Sequence, residues 1–243
     1  MSLSNDLRHT PTLNLFPAQQ SAYRTNHSTE TAVLSIHNDL VRSIDSGNVS
    51  LLALLDLSSA FDTVDHNILL SVLENRFSIQ GTALGWFKSY LSDRTQSFVH
   101  DGDQTVVYRV DCSVPQGSVL GPVEFIAYVA DATDVAEKHN IHAHLYADDI
   151  QMHTSCRPDI VSDARRRVSD CTADFITYTA SRRLQHNTDK TEAMWVGSKC
   201  SLRRLVGQDT TLIVGTETIH PVTVVRDLGV WLDSRVVAQA TRR

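Results

Sequence analysis

The 243-residue chain is short of cysteine, of positive charge and of long apolar runs, and each shortage closes a route. Its four cysteines, Cys112, Cys156, Cys171 and Cys200, form no CxxC pair, which argues against a structural zinc site or a disulfide framework. They read as ordinary thiols of a reducing compartment. No apolar run approaches a membrane span and the polar N-terminus has no signal-peptide core, so the expectation is a soluble, intracellular chain with no membrane partner. Lys and Arg number 22 against 28 Asp and Glu, a formal net charge of −6. Surfaces that bind polyanions are usually basic, so any such contact must rest on localised positive charge or on segments outside this chain. No internal repeat or low-complexity tract is visible. What remains is 42% apolar residues, enough for a core in one large domain or two small ones.

What is present is a pair of acids at the end of a strand pattern. Apolar or small residues at Ile141, Ala143, Leu145 and Ala147 alternate with polar ones, and Asp148 and Asp149 follow. Adjacent carboxylates repel each other and cannot both be buried cheaply. A bend between two strands would expose them, and a divalent cation would neutralise them. For an isolated pair, a solvated Asp-Asp turn is the simpler account. The company it keeps changes that. Asp56 stands near the end of Leu51–Leu57, a nearly unbroken apolar run that predicts a central strand covered on both faces. An acid there is costly unless it is paired or binds metal. Between the two acidic places lies Pro115-Gln116-Gly117-Ser118-Val119-Leu120-Gly121-Pro122, a turn followed by an apolar helix that includes Phe125, Ile126 and Val129.

Periodicity supplies the frame. Ser28 is a predicted N-cap for a helix over Thr29–Ile44, and Asp65 for one carrying Ile68, Leu69, Val72, Leu73 and Phe77. Gly81 breaks that helix, and the next one carries Leu84, Trp86, Phe87, Tyr90 and Leu91. Residues 96–110, interrupted by Asp101-Gly102-Asp103, predict a β-hairpin. A helix beginning at Pro158 or Asp159 would bury Ile160, Val161, Ala164, Val168, Cys171 and Phe175, leaving Arg165-Arg166-Arg167 as a solvated face. Short strands follow at Ala193–Val196, Thr211–Val214, Val222–Val225 and Leu228–Leu232. Two helices packed on one side of a mostly antiparallel sheet is an α+β arrangement.

Five segments in order complete the reading: LLDLSSAFDTVDH from Leu54, VPQGSVLGP from Val114, YADD from Tyr146, NTDKTE from Asn187 and VRDLGV from Val225. Together they resemble the palm of reverse transcriptases, closest to those of non-LTR (LINE-like) retrotransposons. YADD alone is weak, but five segments in the family's order and spacing are specific, and the resemblance runs from about Leu15 to Asp233. It implies an α+β polymerase palm with partial fingers over 15–233, an irregular N-terminus over 1–14, and a tail or truncated start of a thumb over 234–243. It also implies an RNA-directed DNA polymerase, whose partners are an RNA template, a DNA primer and dNTPs and whose cofactor is Mg²⁺ (or Mn²⁺).

The same resemblance makes Asp56 and Asp148 ligands bridging two metal ions and Asp149 a supporting ligand, because in-line attack of a primer 3′-hydroxyl on an α-phosphate is served by such a pair. Lys190 becomes a proton donor or electrostatic partner for pyrophosphate. Phe61 lies beneath the incoming sugar, where a ring favours deoxynucleotides. Asp62 is expected to bond backbone amides. Gln116 and Gly117 form the substrate-binding turn, and Leu228-Gly229-Val230 the turn that grips the primer. The rival reading is a catalytically silent remnant that binds RNA or a protein. Departures from the family pattern are the missing upstream fingers segment and thumb, Glu124 and His186 at usually apolar positions, and the acidic net charge. His139, His142 and His144 lack an obvious fourth ligand for zinc.

Overall fold

The computed structural model describes residues 16–235 and 238–240. The chain runs α1 (Thr29–Asp45), β1 (Val49–Ser58), α2 (His66–Asn75) and α3 (Gly81–Leu91). Four two-residue strands follow: β2 (Thr95–Gln96), β3 (Val99–His100), β4 (Asp103–Gln104) and β5 (Tyr108–Arg109). Next come α4 (Gly121–Tyr128), α5 (Ala132–Lys138), β6 (His142–Tyr146), β7 (Asp149–Cys156), α6 (Val161–Ser181), β8 (Gln185–Gly197) and α7 (Lys199–Arg203). The last strands are β9 (Leu212–Val214), β10 (Glu217–Ile219), β11 (Val224–Asp227), β12 (Val230–Asp233) and β13 (Ala238–Ala240). The expected irregular stretch at 1–14 lies outside the described residues. Of 234–243, residues 234–235 and β13, which pairs with β12, are described.

The centre is a four-stranded antiparallel sheet in the order β6-β7-β1-β8. Because side chains alternate across a strand, β1 divides its residues between two cores. Leu51, Ala53, Leu55 and Leu57 face the larger core with α2 to α6, where Phe125, Phe175 and Met152 are fully buried. Leu52 and Leu54 face the other way, with Met194 and Val196 of β8, and are covered by α1 and the β11–β12 hairpin. The apolar run of β1 thus predicts its two-sided cover. The placement of helices on one side only needs correction. Leu52, Met194 and Val196 are each 0% exposed, and leaving any one in water would cost about 1.5–3 kcal/mol.

Helix starts follow the caps. Ser28 and Thr31 form a reciprocal capping box at α1, and the Asp65 carboxylate accepts from the Asn67 and Ile68 amides at α2. Two details differ from the periodic reading. Gly81, at φ +59, is the first residue of α3 rather than the end of α2. Helix α6 starts at Val161, since Ile160 has a non-helical ψ of 33 and lies exposed. Of the arginine run, Arg166 is solvated and pairs with Asp163 and Asp170. Arg167 instead reaches back as a strut to the carbonyls of His139 and Asn140 and to Thr154 Oγ1.

Candidate active site

Strand register gathers the acids. The β1–β7 ladder ends at Leu55 and Ile150, so the next residues, Asp56 and Asp149, lie side by side at the mouth of the sheet. Tyr146 pairs with Asp149 and leaves Ala147 and Asp148 as a two-residue turn between β6 and β7. The predicted bend is therefore present, and Asp148 stands at its tip. On the other flank, β8 is one strand from Gln185 to Gly197 rather than the short piece at 193–196. Between the pairs Leu54–Glu192 and Asp56–Asn187, β1 advances two residues and β8 five. That bulge turns Lys190 back over the sheet, and its Nζ lies 3.1 Å from Asp56 Oδ2. Asn187 Nδ2 donates to the same oxygen at 3.4 Å. Thr191 Oγ1 closes the bulge on the Asn187 carbonyl and lies 3.0 Å from His186 Nε2, so the unexpected histidine has a polar neighbour.

The electrostatics are those of crowding. Desolvation and the Asp56 charge raise the Asp148 pKa, against a backbone hydrogen bond and Lys190. Desolvation, then Asp148, Asp56 and Asp227, push Asp149 up to about 6, with Lys190 opposing. A cleft of about 400 Å³ opens here, its lining including Asp56, Asp149, Asp189, Lys190, Glu192 and Leu228. Among the described residues, no group of three or more His, Cys, Asp or Glu side chains is arranged to hold a metal ion by itself. The donor set suits Mg²⁺ all the same, because that ion keeps several waters and takes one or two carboxylates plus substrate phosphates. The mutual repulsion of these carboxylates is what a cation would relieve.

Other predicted residues stand around this mouth, and of these Leu228 reaches the cleft lining. Phe61 is half-buried and stacks on Phe125, ring centroids 4.3 Å apart. Its carbonyl accepts from the Val114 amide, which ties the turn after β1 to the Pro115-Gln116-Gly117 turn. Gln116 Nε2 donates to Asp62 Oδ1 at 2.7 Å, so Asp62 bonds this side chain and not the backbone amides expected of it. Gly117 has φ +76, a conformation glycine adopts without strain. Leu228 and Gly229, at φ 45 and 84, form the β11–β12 turn ahead of Val230.

Some neighbours carry no sequence signal strong enough to find them. Gln151 shares the face of Asp149 by alternation, and its Nε2 donates to Asp227 Oδ1 at 2.9 Å, both side chains buried. This bond joins the acidic strand to the Leu228 turn. Gln20 accepts from the Ala147 amide with its side chain. The histidines do not gather as a zinc site. His139 pairs with Asp174, while His142 stacks on His153 on the sheet face covered by α1.

The sequence profile of the family described as "Reverse transcriptase (RNA-dependent DNA polymerase)" matches residues 2–230. The chain belongs to the reverse transcriptase family. Curated relatives of this reverse transcriptase domain include the RNA-directed DNA polymerase from mobile element jockey of Drosophila funebris, 32% identical over 144 residues. That alignment covers 57% of this chain and 15% of the relative. The probable RNA-directed DNA polymerase from transposon BS of Drosophila melanogaster is 29% identical over 143 residues, covering 57% of this chain and 16% of the relative. The chain thus matches about one sixth of the length of these relatives.

Among solved structures, apo telomerase from Candida tropicalis, truncated from its C-terminal domain, superposes with a TM-score of 0.63 at 14% identity, over 92% of this chain and 41% of that one. Telomerase from Candida albicans in complex with a fragment of telomeric RNA gives 0.62 at 13%, over 92% and 36%. These likenesses carry the fold, a reverse-transcriptase palm with an antiparallel sheet and packed helices. No helix among the described residues is long and apolar enough to cross a membrane.

Proposed function

We propose that residues 15–233 are the palm and part of the fingers of a retrotransposon RNA-directed DNA polymerase, which adds deoxynucleotides to a primer 3′-hydroxyl on an RNA template. The observation that carries this reading is the convergence of Asp56 and Asp149, from adjacent strands, on one cleft with Lys190, with Asp148 beside them in the β6–β7 turn. Mg²⁺ or Mn²⁺ bound there would activate the nucleophile and stabilise charge on the leaving group. Asp56 and Asp148 would hold the cations jointly, with Asp149 in support. Lys190, which neutralises Asp56 here, is the side chain available to meet the departing pyrophosphate. Phe61, backed by Phe125, would exclude a 2′-hydroxyl, while Gln116 and Gly117 approach the nucleotide. The Leu228-Gly229-Val230 turn would position the primer end, tied to the acidic strand through Asp227 and Gln151.

The test is extension of a primed RNA template with dNTPs and Mg²⁺, by the chain itself and by the jockey polymerase with this chain in place of its matching segment. Extension that disappears with Asp148→Ala supports the proposal. Extension undiminished by that change refutes it. A folded, template-bound chimera that adds nothing favours a silent remnant.

A further inference from the structure

We propose that Gln20 is a positioning residue of the acidic turn, its side-chain oxygen holding the Ala147 amide and thereby setting where the Asp148 carboxylate stands. The inference rests on the polymerase reading and adds a residue to it. The turn has two residues, Ala147 and Asp148, between the paired Tyr146 and Asp149. Ala147 has φ +57, a left-handed conformation that a side-chain-bearing residue keeps only where its surroundings over-determine it. The residue is buried, so its N–H must find a partner inside the protein. That partner is Gln20 Oε1, at 3.2 Å. The same oxygen accepts from the Ala22 amide at 2.9 Å. Both neighbours are donors, so the oxygen and not the nitrogen of the amide faces the turn.

Gln20 is itself held. It is 1% exposed, and its backbone lies along the open edge of β6. Ser21 donates to the Leu145 carbonyl at 2.9 Å, and the Leu145 amide donates to the Gln19 carbonyl at 2.9 Å. Arg24 Nη1 donates to the carbonyls of Pro17 and Gln20 at 2.8 and 2.9 Å. An acceptor fixed at both ends of its own chain can hold the turn against Coulomb repulsion among Asp56, Asp148 and Asp149. Groups that orient metal ligands in this way matter to affinity nearly as much as the ligands. The Gln20 Nε2 has no partner among the described residues, so the side chain's contribution comes through its oxygen.

The experiment titrates the chain with Mn²⁺ in the presence of a dNTP, reads the metal bound beyond a dNTP-only control by electron paramagnetic resonance, and follows hydrogen exchange at the Ala147 amide by NMR. Gln20→Leu keeps the bulk and removes the acceptor, and should weaken Mn²⁺ binding about tenfold or more. Ala147 exchange should accelerate together with that loss. Gln20→Glu keeps an acceptor oxygen and should restore both. Should Gln20→Leu not fold by circular dichroism, Gln20→Asn, which withdraws the oxygen by one methylene, carries the same expectation. Unchanged Mn²⁺ affinity and Ala147 protection in a folded acceptor-deficient variant overturn the inference, as does a Gln20→Glu protein as impaired as Gln20→Leu. A wild-type chain that binds no more Mn²⁺ than Asp148→Ala refutes the polymerase reading instead, and the inference with it.

Discussion

Two regions of this molecule hold carboxylates whose proton affinity is raised, and they differ in why. At the mouth of the sheet, Asp149 is pushed up to about 6 by desolvation and then by three neighbouring acids, beside an open cleft and Lys190. In α4, Glu124 is pushed up to about 7 by desolvation, with only Arg94 opposing. Glu124 is 2% exposed and neither of its oxygens has a hydrogen-bond partner among the described residues. The first is burial compounded by neighbouring acids, which a cation relieves. The second is isolation, which only a proton or a substitution relieves. Raised proton affinity therefore marks a site only where the acids share an opening that a substrate can enter.

The largest effect breaks the crowded region. Replacing Asp56 or Asp148 by Ala should lower primer extension at least about a thousandfold, while Asp149→Ala, as a supporting ligand, costs less. The fold should survive all three changes, since each removes a charge from a crowded group, and what Asp56→Ala gives up besides is the exposed pair with Lys190 and a long bond from Asn187. In Asp148→Ala the Asp149 carboxyl should also move down towards its ordinary range, as NMR titration of its side chain would show. An Asp149→Ala protein more impaired than Asp56→Ala would invert the assigned roles.

The isolated region responds in stability instead. A folded-state pKa of about 7 against 4.5 means that native Glu124 holds a proton the unfolded chain has released. Its contribution is thus fully present below about 4.5 and is lost as pH rises through 7, a cost of about 3 kcal/mol. Glu124→Leu should therefore raise stability by that order at pH 8 and by much less at pH 4.5, measured by urea denaturation. His153, 4% exposed on the α1 side of the sheet, has the opposite sign. Desolvation, then His142, lower it from 6.5 to about 4, while Asp39, 3.6 Å away, opposes. The unfolded chain binds the proton first, so stability falls as pH drops from 6.5 towards 4. The two slopes oppose each other between about 4.5 and 6.5 in the wild type. Glu124→Leu should unmask acid sensitivity there, and His153→Gln should remove it. A pH profile unaltered in shape by both changes would contradict the buried, unpaired state of Glu124.

Much of this was legible in order along the chain. The alternation at Ile141–Ala147 and the unbroken run at Leu51–Leu57 predict their strands because side-chain period and burial are local signals. Ser28 and Asp65 announce their helices because capping is a contact with amides two or three residues on. The Asp148-Asp149 bend is legible for the same reason. The β8 bulge was not: what it achieves, setting Lys190 beside Asp56, involves a partner 134 positions away. The contacts of Gln20 and Gln151 were equally hidden, as was that of Asp227 although it lies within VRDLGV, since a buried polar side chain means nothing until its distant partner is known. That β1 is covered on both faces was legible, but which elements supply the second cover was not, because α1 and β11–β12 come from opposite ends of the chain.

The smallest effect sharpens the edge of the crowded region. Phe61 leads towards the incoming nucleotide in the proposed reading, yet it also stacks on the fully buried Phe125 at 4.3 Å and 21° between planes. Such a pair contributes about 0.5–1.5 kcal/mol beyond its buried area, so Phe61→Val and Phe125→Leu should both lower thermal stability. Only one of them bears on the sugar. Removing the ring at 61 should relax discrimination against ribonucleotides about tenfold, the scale on which a pocket wall separates substrates that differ by a small group. Phe125→Leu should leave that ratio alone, because Phe125 reaches no solvent. Matched ribo- and deoxynucleotide incorporation by the chimera with jockey flanks provides the comparison. A ratio unchanged by Phe61→Val would return that ring to the core, and an equal change in both variants would show that the stack, rather than the ring's edge, does the selecting.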